Sequence, residues 1–277
     1  MLKYIAQDPY EKFHMKYIEW SLSVHSKSSN IGCCGETGRH PLIYEACKLA
    51  IDYYERVERS DNPILSAAFQ EQVSLDLQWH SNISNIIEKY NIPPPTNIKS
   101  KLSTLVSHHM REEFVDKWKL AKSTSPKLEF YNSIKHDFGL EKYLCLVKTA
   151  DARKSLTRLR ISAHNLFIER GRYEIPAISR ADRWCVHCKL TSGNEYVEDE
   201  MHVLTECPLY SKARSKFKFS PNTPDELVSS LSDQKITDMQ ATAIAKTVHA
   251  ILTTNHCYTE YYKSQDFHSC FGNCIIL

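Results

Sequence analysis

The chain is poor in glycine. Seven glycines among 277 residues leave few sites for the tight positive-φ turns of hairpin-rich proteins, which argues against a β-rich or loop-rich fold. No run approaches the ~18 consecutive apolar residues of a membrane span. The opening Met1-Leu2-Lys3-Tyr4 carries no signal-peptide apolar core. Neither sign of charge prevails: the net charge is +2, too little to demand a nucleic-acid partner by itself. Internal repeats and low-complexity tracts are also missing. An apolar share of 42% and a charged share of 25% are ordinary for a soluble globular protein. The length allows one large helical body with a small appendage, or two domains. Ten cysteines could build a secreted scaffold, but they are scattered, and the pair Cys185/Cys188 has metal spacing. An intracellular setting, nucleus or cytoplasm, is therefore expected.

The apolar periodicity is mostly helical, so the expected fold class is mainly α, a multi-helical body with a small zinc knuckle of short hairpin plus helix. Phe13, Tyr17, Trp20 and Val24 recur at helical spacing, as do Leu42, Ala46, Leu49, Tyr53 and Val57. Pro41 suits a first helical position, and Asn62-Pro63 reads as a cap followed by a first-turn proline. Pro93-Pro94-Pro95 cannot continue a helix and marks a rigid linker. Ile98, Leu102, Leu105 and His109 then open a long helix that Phe114, Val115 and Trp118 complete.

From about Thr149 to Arg170 the spacing predicts the best helix. Its apolar seam is Leu156, Leu159, Ala163 and Leu166, and Gly171 is placed as its stop. Thr223-Pro224 is a further cap and first turn, and a last amphipathic helix would use Ile236, Met239, Ala243, Thr247 and Ile251. The domain organisation expected from these breaks is an N-terminal helical region 1–95 and a second helical region 96–175. A knuckle 176–218 follows, then a helix with an irregular tail, 219–277.

The most specific feature is Cys185-Val186-His187-Cys188 followed by His202 and Cys207. Cys-x2-Cys…His-x4-Cys offers four soft or borderline donors in two pairs, as tetrahedral Zn²⁺ requires. In a regular helix the five-residue step from His202 to Cys207 rotates by about 140°, so the helix must loosen before Cys207. Pro208 supplies the cause, because a residue before proline is pushed out of the α region. Glu198-Asp199-Glu200 would start the short helix, and Ser192-Gly193-Asn194 is turn chemistry. His187 is expected to face solvent or to make an outer contact. Four protein ligands leave no place for an activated water, so the ion would be structural. Arg183 and Lys189 could offset the site's net negative charge.

Basic residues outnumber acidic ones from Lys148 to Arg183, and a second basic cluster follows the metal motif. Arg153, Lys154, Arg158, Arg160, Arg172 and Arg180, with Lys212, Arg214, Lys216 and Lys218, form the minimal footprint for phosphate contact. Without the metal motif beside them, the plainer reading of the same residues would be a solvated helix face.

The stretch Leu159-Arg160-Ile161-Ser162-Ala163-His164…Arg183-Trp184-Cys185-Val186-His187-Cys188…Glu198-Asp199-Glu200-Met201-His202…Cys207-Pro208 resembles the zinc-binding region that follows the reverse transcriptase of non-long-terminal-repeat retrotransposons. Gly35-Glu36-Thr37-Gly38-Arg39-His40-Pro41-Leu42 is similar to a stretch found between polymerase and zinc region in such elements. The resemblance spans roughly residues 10 to 215. It implies structural Zn²⁺ on Cys185, Cys188, His202 and Cys207, and RNA or DNA gripped near a polymerase. The chain has no Asp-Asp dipeptide, so the catalytic metal turn of a polymerase is missing. The expectation is a non-catalytic nucleic-acid-binding remnant, with any polymerase supplied by another chain. The alternative is a zinc-stabilised helical protein-interaction or scaffold module.

Other motifs carry less. Asp137-Phe138-Gly139 lacks the companions of a kinase, and Gly35-Glu36-Thr37-Gly38 lacks the Gly-Lys-Ser/Thr ending of a phosphate loop. Cys33-Cys34 and His108-His109 read as structural. His268, Cys270 and Cys274 could form a second, weaker metal site. Cys274-Ile275-Ile276-Leu277 fits a prenylation signal, expected here as an accidental match.

Overall fold

The structure, a computed structural model, describes residues 8–90, 101–233 and 235–264. The Pro93–Pro95 linker, Ile98 and the terminal His268, Cys270 and Cys274 lie outside these residues. Among the described residues there are fifteen α-helices and no strand, only two isolated antiparallel bridges, Thr37 with Leu140 and Trp184 with Val197. The fold is mainly α. Two compact units are formed, one from Met1–Met15 with His40–Leu120, the other from Lys16–Arg39 with Ala121–Leu277.

The first unit takes the start of α1 (Pro9–Leu22), then α3 (Leu42–Glu58), α4 (Pro63–Ser74), α5 (Gln78–Lys89) and most of α6 (Leu102–Thr124). Its helix starts are capped from afar where the local sequence offers no cap. Pro41 precedes α3 as its cap residue, one position earlier than expected, and has no side-chain oxygen. The Glu11 carboxylate therefore accepts from Ile43 N–H at 2.8 Å. Glu55 does the same for α6, accepting from Leu102 N–H at 3.1 Å. Asn62 caps α4 locally, as its sequence indicates, by accepting from Ile64 and Leu65 N–H. Leu102, Val106, Met110, Phe114 and Trp118 bury one face of α6 at a four-residue spacing.

Two expected core faces point elsewhere. On α1, Phe13, Tyr17 and Trp20 are exposed and Ile18 and Leu22 are buried; on α3, Leu42, Leu49 and Tyr53 are exposed while Tyr44, Ile51, Tyr54 and, from the expected stripe, Val57 are buried. Both helices carry apolar residues all round, so periodicity gives the element without fixing its phase.

The second unit contains α2 (Asn30–Thr37), α7 (Glu129–Ile134), α8 (Tyr143–Leu146), α9 (Ala150–Arg160), α10 (Phe167–Arg170), α11 (Val186–Ser192), α12 (Glu200–Thr205), α13 (Ser211–Lys216), α14 (Pro224–Ser232) and α15 (Asp238–Ser264). Its axis is α15, which packs against α8, α9, α12 and α13. The buried face of α15 is Ala241, Ile244, Ala245, Val248, Ile251, Leu252 and Asn255, while Met239 is 82% exposed. Of the expected seam, Thr247 and Ile251 are buried, whereas Met239 gives way to the row through Ala241, Ile244, Ala245 and Val248. Thr223 caps α14 by accepting from Glu226 N–H.

The helix expected over 149–170 is two helices. α9 stops at Arg160, and Ser162 takes a left-handed conformation at φ +51°. The break is held by Glu200, whose carboxylate accepts from Ser162 Oγ at 3.0 Å and pairs with His164 Nε2 at 2.8 Å. Gly171 has an ordinary right-handed φ of −62°. A Cβ there would sit 2.9 Å from the Arg183 side chain, so close approach, and not a left-handed stop, accounts for this glycine.

Candidate metal centre

Each ligand is delivered by a local device. Cys185 caps the N-terminus of α11, its carbonyl accepting from Lys189 N–H at 3.0 Å, so Cys188 projects from the first turn onto the same side. α11 ends at Gly193, φ +71°, whose N–H returns to Lys189 O at 3.1 Å. The chain then doubles back: Cys185 N–H bonds Tyr196 O at 2.7 Å and Glu198 N–H bonds Arg183 O at 2.8 Å, closing the Trp184–Val197 bridge. Asp199 caps α12 by accepting from His202 N–H at 2.9 Å, which sets the histidine in the first turn. At the far end Cys207 leaves the helix with φ −55° and ψ 120°, the extended conformation that Pro208 imposes. Its N–H reaches back five residues to His202 O at 2.9 Å. The buried Arg214 closes this helix end, donating to Val203 O and Cys207 O at 3.1 and 2.9 Å.

The four side chains meet. Cys185, Cys188, His202 and Cys207 are all buried, and their ligand atoms lie within 4.8 Å of one another. Cys207 Sγ is 3.7 Å from Cys185 Sγ and 3.8 Å from Cys188 Sγ, and Cys188 Sγ is 3.4 Å from His202 Nε2. A tetrahedral ion with bonds of about 2.3 Å to sulfur and about 2.0–2.1 Å to nitrogen has S···S edges near ~3.8 Å and S···N edges near ~3.5 Å. The donor set fits a tetrahedral metal ion. His202 points Nε2 inward, and its Nδ1 lies 3.7 Å from the Glu206 carboxylate, too far for a hydrogen bond. His187, one residue from Cys188, is half-buried and outside the cluster.

Electrostatics in the protein alone match a site that wants positive charge. The hydrogen bond from Cys207 pulls the Cys185 thiol down to about 4, and the same contact pushes Cys207 well above the usual thiol range. Burial raises Cys188 to about 11. Burial alone would lower His202, but the Cys185 sulfur beside it lifts the imidazole above its ordinary value. One thiolate and its neighbours thus share protons that a divalent ion would displace on binding.

Around the cluster stand Glu198 and Glu200, expected only as the start of the short helix, and Asn255 and Tyr210, to which sequence reasoning assigned no role. Glu198 is buried, accepts from Asn255 Nδ2 at 2.5 Å and from Phe167 N–H at 3.2 Å, and is raised to about 7 by burial and by the nearby Cys185 charge. Asn255 also donates to Tyr210 Oη at 3.1 Å, tying the knuckle to α15. Burial pushes Glu200 up, yet His164 and Ser162 hold it below the usual carboxylate range. The readable signal was Glu-x-Glu flanking a cap residue: two acids on the inward side of a turn need donors from elsewhere. Arg183 stands close by but donates to Ile168 O and Ile178 O, and Lys189 lies over the Trp184 ring and beside Glu195.

The basic residues divide sharply. Arg160 is fully buried and paired with Glu36 and Glu141, and Arg214 is buried against carbonyls. Neither can face a phosphate, which corrects the expectation for both. Arg160 lies on the buried side because Glu36, distant in sequence, gives it a partner. Arg153 donates to Val147 O at 2.7 Å, Arg158 to Ser23 O at 3.1 Å, and Arg172 to Glu169 at 2.5 Å and Pro126 O at 2.9 Å. Arg180 is exposed and paired with Glu129. Lys154 is half-buried; Lys212, Lys216 and Lys218 are exposed.

Comparison of the chain with protein-family models, curated proteins and solved structures gives no match.

Proposed function

We propose that the protein is a zinc-stabilised, non-catalytic module that grips nucleic acid through its phosphates, akin to the tail of a retrotransposon polyprotein. The observation that carries the reading is the closed coordination sphere: four buried protein donors at tetrahedral spacing. Three sulfurs and one imidazole suit zinc, and a filled sphere suits a structural role over water activation. Binding of the ion is folding free energy for a segment with little core of its own. The lysines at 212, 216 and 218 follow the fourth ligand directly and are exposed, so an ordered knuckle presents them together. Backbone-dominated contacts imply affinity that falls steeply with salt and shows little sequence preference.

Two measurements test this. Protein purified without chelator should carry one zinc per chain by elemental analysis; a metal content near zero refutes the centre. Fluorescence anisotropy against RNA and DNA oligonucleotides should show salt-sensitive binding, and its absence at low salt removes the nucleic-acid role. A second reading is favoured by one observation. Arg153, Arg158, Arg160, Arg172 and Arg214 all donate to groups of the protein itself, which suits a protein-interaction or scaffold module. That reading prevails if the zinc is present and no oligonucleotide binds.

A further inference from the structure

Outside the metal centre, the second unit gathers cations around one exposed tyrosine. Lys127 Nζ donates to Tyr173 Oη at 3.2 Å and to Lys27 O at 3.0 Å. Lys27 Nζ lies 5.3 Å from the centroid of the Tyr173 ring. Arg172, the preceding residue, reaches Pro126 O, and Arg158 reaches Ser23 O beside the same segment. Most of these contacts are to carbonyl oxygens, which orient a cation without cancelling its charge. The acids against them are Glu169, which pairs with Lys127 and Arg172, and the exposed Glu174. Positive charge is in excess. His25 registers that field: burial and then Lys127, Arg158 and Lys27 depress its pKa, opposed by Glu169.

The tyrosine is held out by a clamp at the base of its loop. Ile178 N–H bonds Gly171 O at 3.0 Å, and the buried Arg183 donates to Ile178 O and Ile168 O. Between these anchors Tyr173 is 52% exposed and Ile175 98% exposed. Two apolar side chains projecting from a cationic rim suit a ligand that alternates anionic and flat apolar groups. The adjoining cleft of about 230 Å³ is lined by Lys127, Arg172 and Arg180 but also by Glu129, Glu169, Asp199 and Glu200, so the cationic surface is the rim around Tyr173 and not the cleft.

We infer that Lys27, Lys127, Arg158 and Arg172 with Tyr173 and Ile175 form a binding site for single-stranded nucleic acid. Phosphates lie among the cations, and a base stacks on the tyrosine loop. Stacking on an exposed aromatic needs an unpaired base, so the site prefers single strands over duplex. The inference rests on the nucleic-acid reading above and adds a surface distinct from the lysines at 212–218.

The full chain with its metal is titrated by anisotropy against a labelled 20-nucleotide uridine strand and a duplex of equal length. Lys27→Gln and Tyr173→Ala alter exposed side chains, and far-UV circular dichroism checks that the fold persists. Tyr173→Ala should weaken the single strand about fivefold or more and the duplex far less. Lys27→Gln should lower the slope of log K against log salt by about 0.7. A 4-thiouridine strand should crosslink within the peptide Tyr173–Arg180. If the triple variant Lys212→Gln/Lys216→Gln/Lys218→Gln abolishes binding while both site variants bind as the parent does, this site is overturned and the nucleic-acid reading stands. If the parent protein binds no strand, both fall together.

Discussion

Arg160 and Glu36 meet in the interior of the second unit, 124 positions apart in sequence, with Nε 3.0 Å from Oε2 and Nη2 3.1 Å from Oε1. Arg160 also reaches Glu141 at 3.0 Å and Leu231 O at 2.7 Å, and Tyr143 Oη donates to Glu36 at 2.6 Å. Lys135 pairs with Glu141 in the same group, so two cations face two carboxylates. Glu36 is the acid of Gly35-Glu36-Thr37-Gly38, and its role is to seat Arg160. Gly38, at φ +63° with Leu140 N 2.7 Å from any added Cβ, lets the two segments close.

Arg160→Met removes the charge that both acids share and leaves them buried. The expected loss is about 3–5 kcal/mol, the usual cost of breaking one side of a buried ion group. Urea unfolding followed by circular dichroism measures it. The paired change Glu36→Gln with Arg160→Met should lose less than the sum of the two single changes, because the partners are coupled. Additive losses would contradict the arrangement.

Metal removal should act on the knuckle and spare the first unit. Chelation, or Cys188→Ser, should leave zinc below one equivalent per chain and expose the 184–210 amides to exchange. Apparent binding energies of structural zinc in short peptides are on the order of 10–16 kcal/mol, and here they would add to the packing of Val203, Leu204 and Tyr210 in the core of the second unit. The first unit, built from α3 to α6 without any of the four ligands, should keep its protection. Hydrogen exchange read by mass spectrometry separates the two; uniform loss of protection across the chain would count against a local structural role.

How much of this was readable follows from the range of each interaction. Helix starts at Asn62 and Thr223 depend on a cap and a proline one residue apart, and the structure has both. The convergence of His202 and Cys207 depends on Asp199 and Pro208, all within ten positions, and it too was legible. What failed depends on distant partners. Arg160 looks like a surface cation until Glu36 stands opposite, and 149–170 looks like one helix until Glu200 claims Ser162 and His164. The face of α1 failed for another reason. Tyr10, Phe13, Tyr17 and Trp20 outnumber Ile18 and Leu22, yet the aliphatic pair is the buried one, and apolar count alone cannot choose between two apolar faces.

Acid should loosen the first unit through Glu113. Burial pushes this carboxyl up, but hydrogen bonds from Lys117, Lys89 and Tyr90 outweigh it and hold it at about 2. Lys89 and Tyr90 reach it at 2.8 and 2.6 Å. A folded pKa below the unfolded value of about 4.3 means stability that is present above that value and lost as pH falls toward about 2. Glu113→Gln should flatten the pH dependence of the unfolding midpoint between roughly pH 4.5 and pH 2, where the wild type declines. An unchanged acid limb in the variant would show that the carboxylate contributes nothing through these bonds.

Two glycines of the second unit should respond differently to alanine. At Gly171 the backbone is ordinary, but the new methyl would sit 2.9 Å from Cδ and Nε of Arg183, whose guanidinium is pinned by Ile168 O and Ile178 O. Accommodation must break that clamp, so Gly171→Ala should cost about 1–3 kcal/mol and loosen the Tyr173 loop. At Gly193 nothing lies within 4 Å of an added Cβ, but φ is +71°, so the cost is conformational, about 1–2 kcal/mol, and confined to the end of α11. Amide exchange across 172–178 distinguishes the cases: faster in Gly171→Ala, unchanged in Gly193→Ala. Equal protection of that loop in both variants would mean that Arg183 does not hold it.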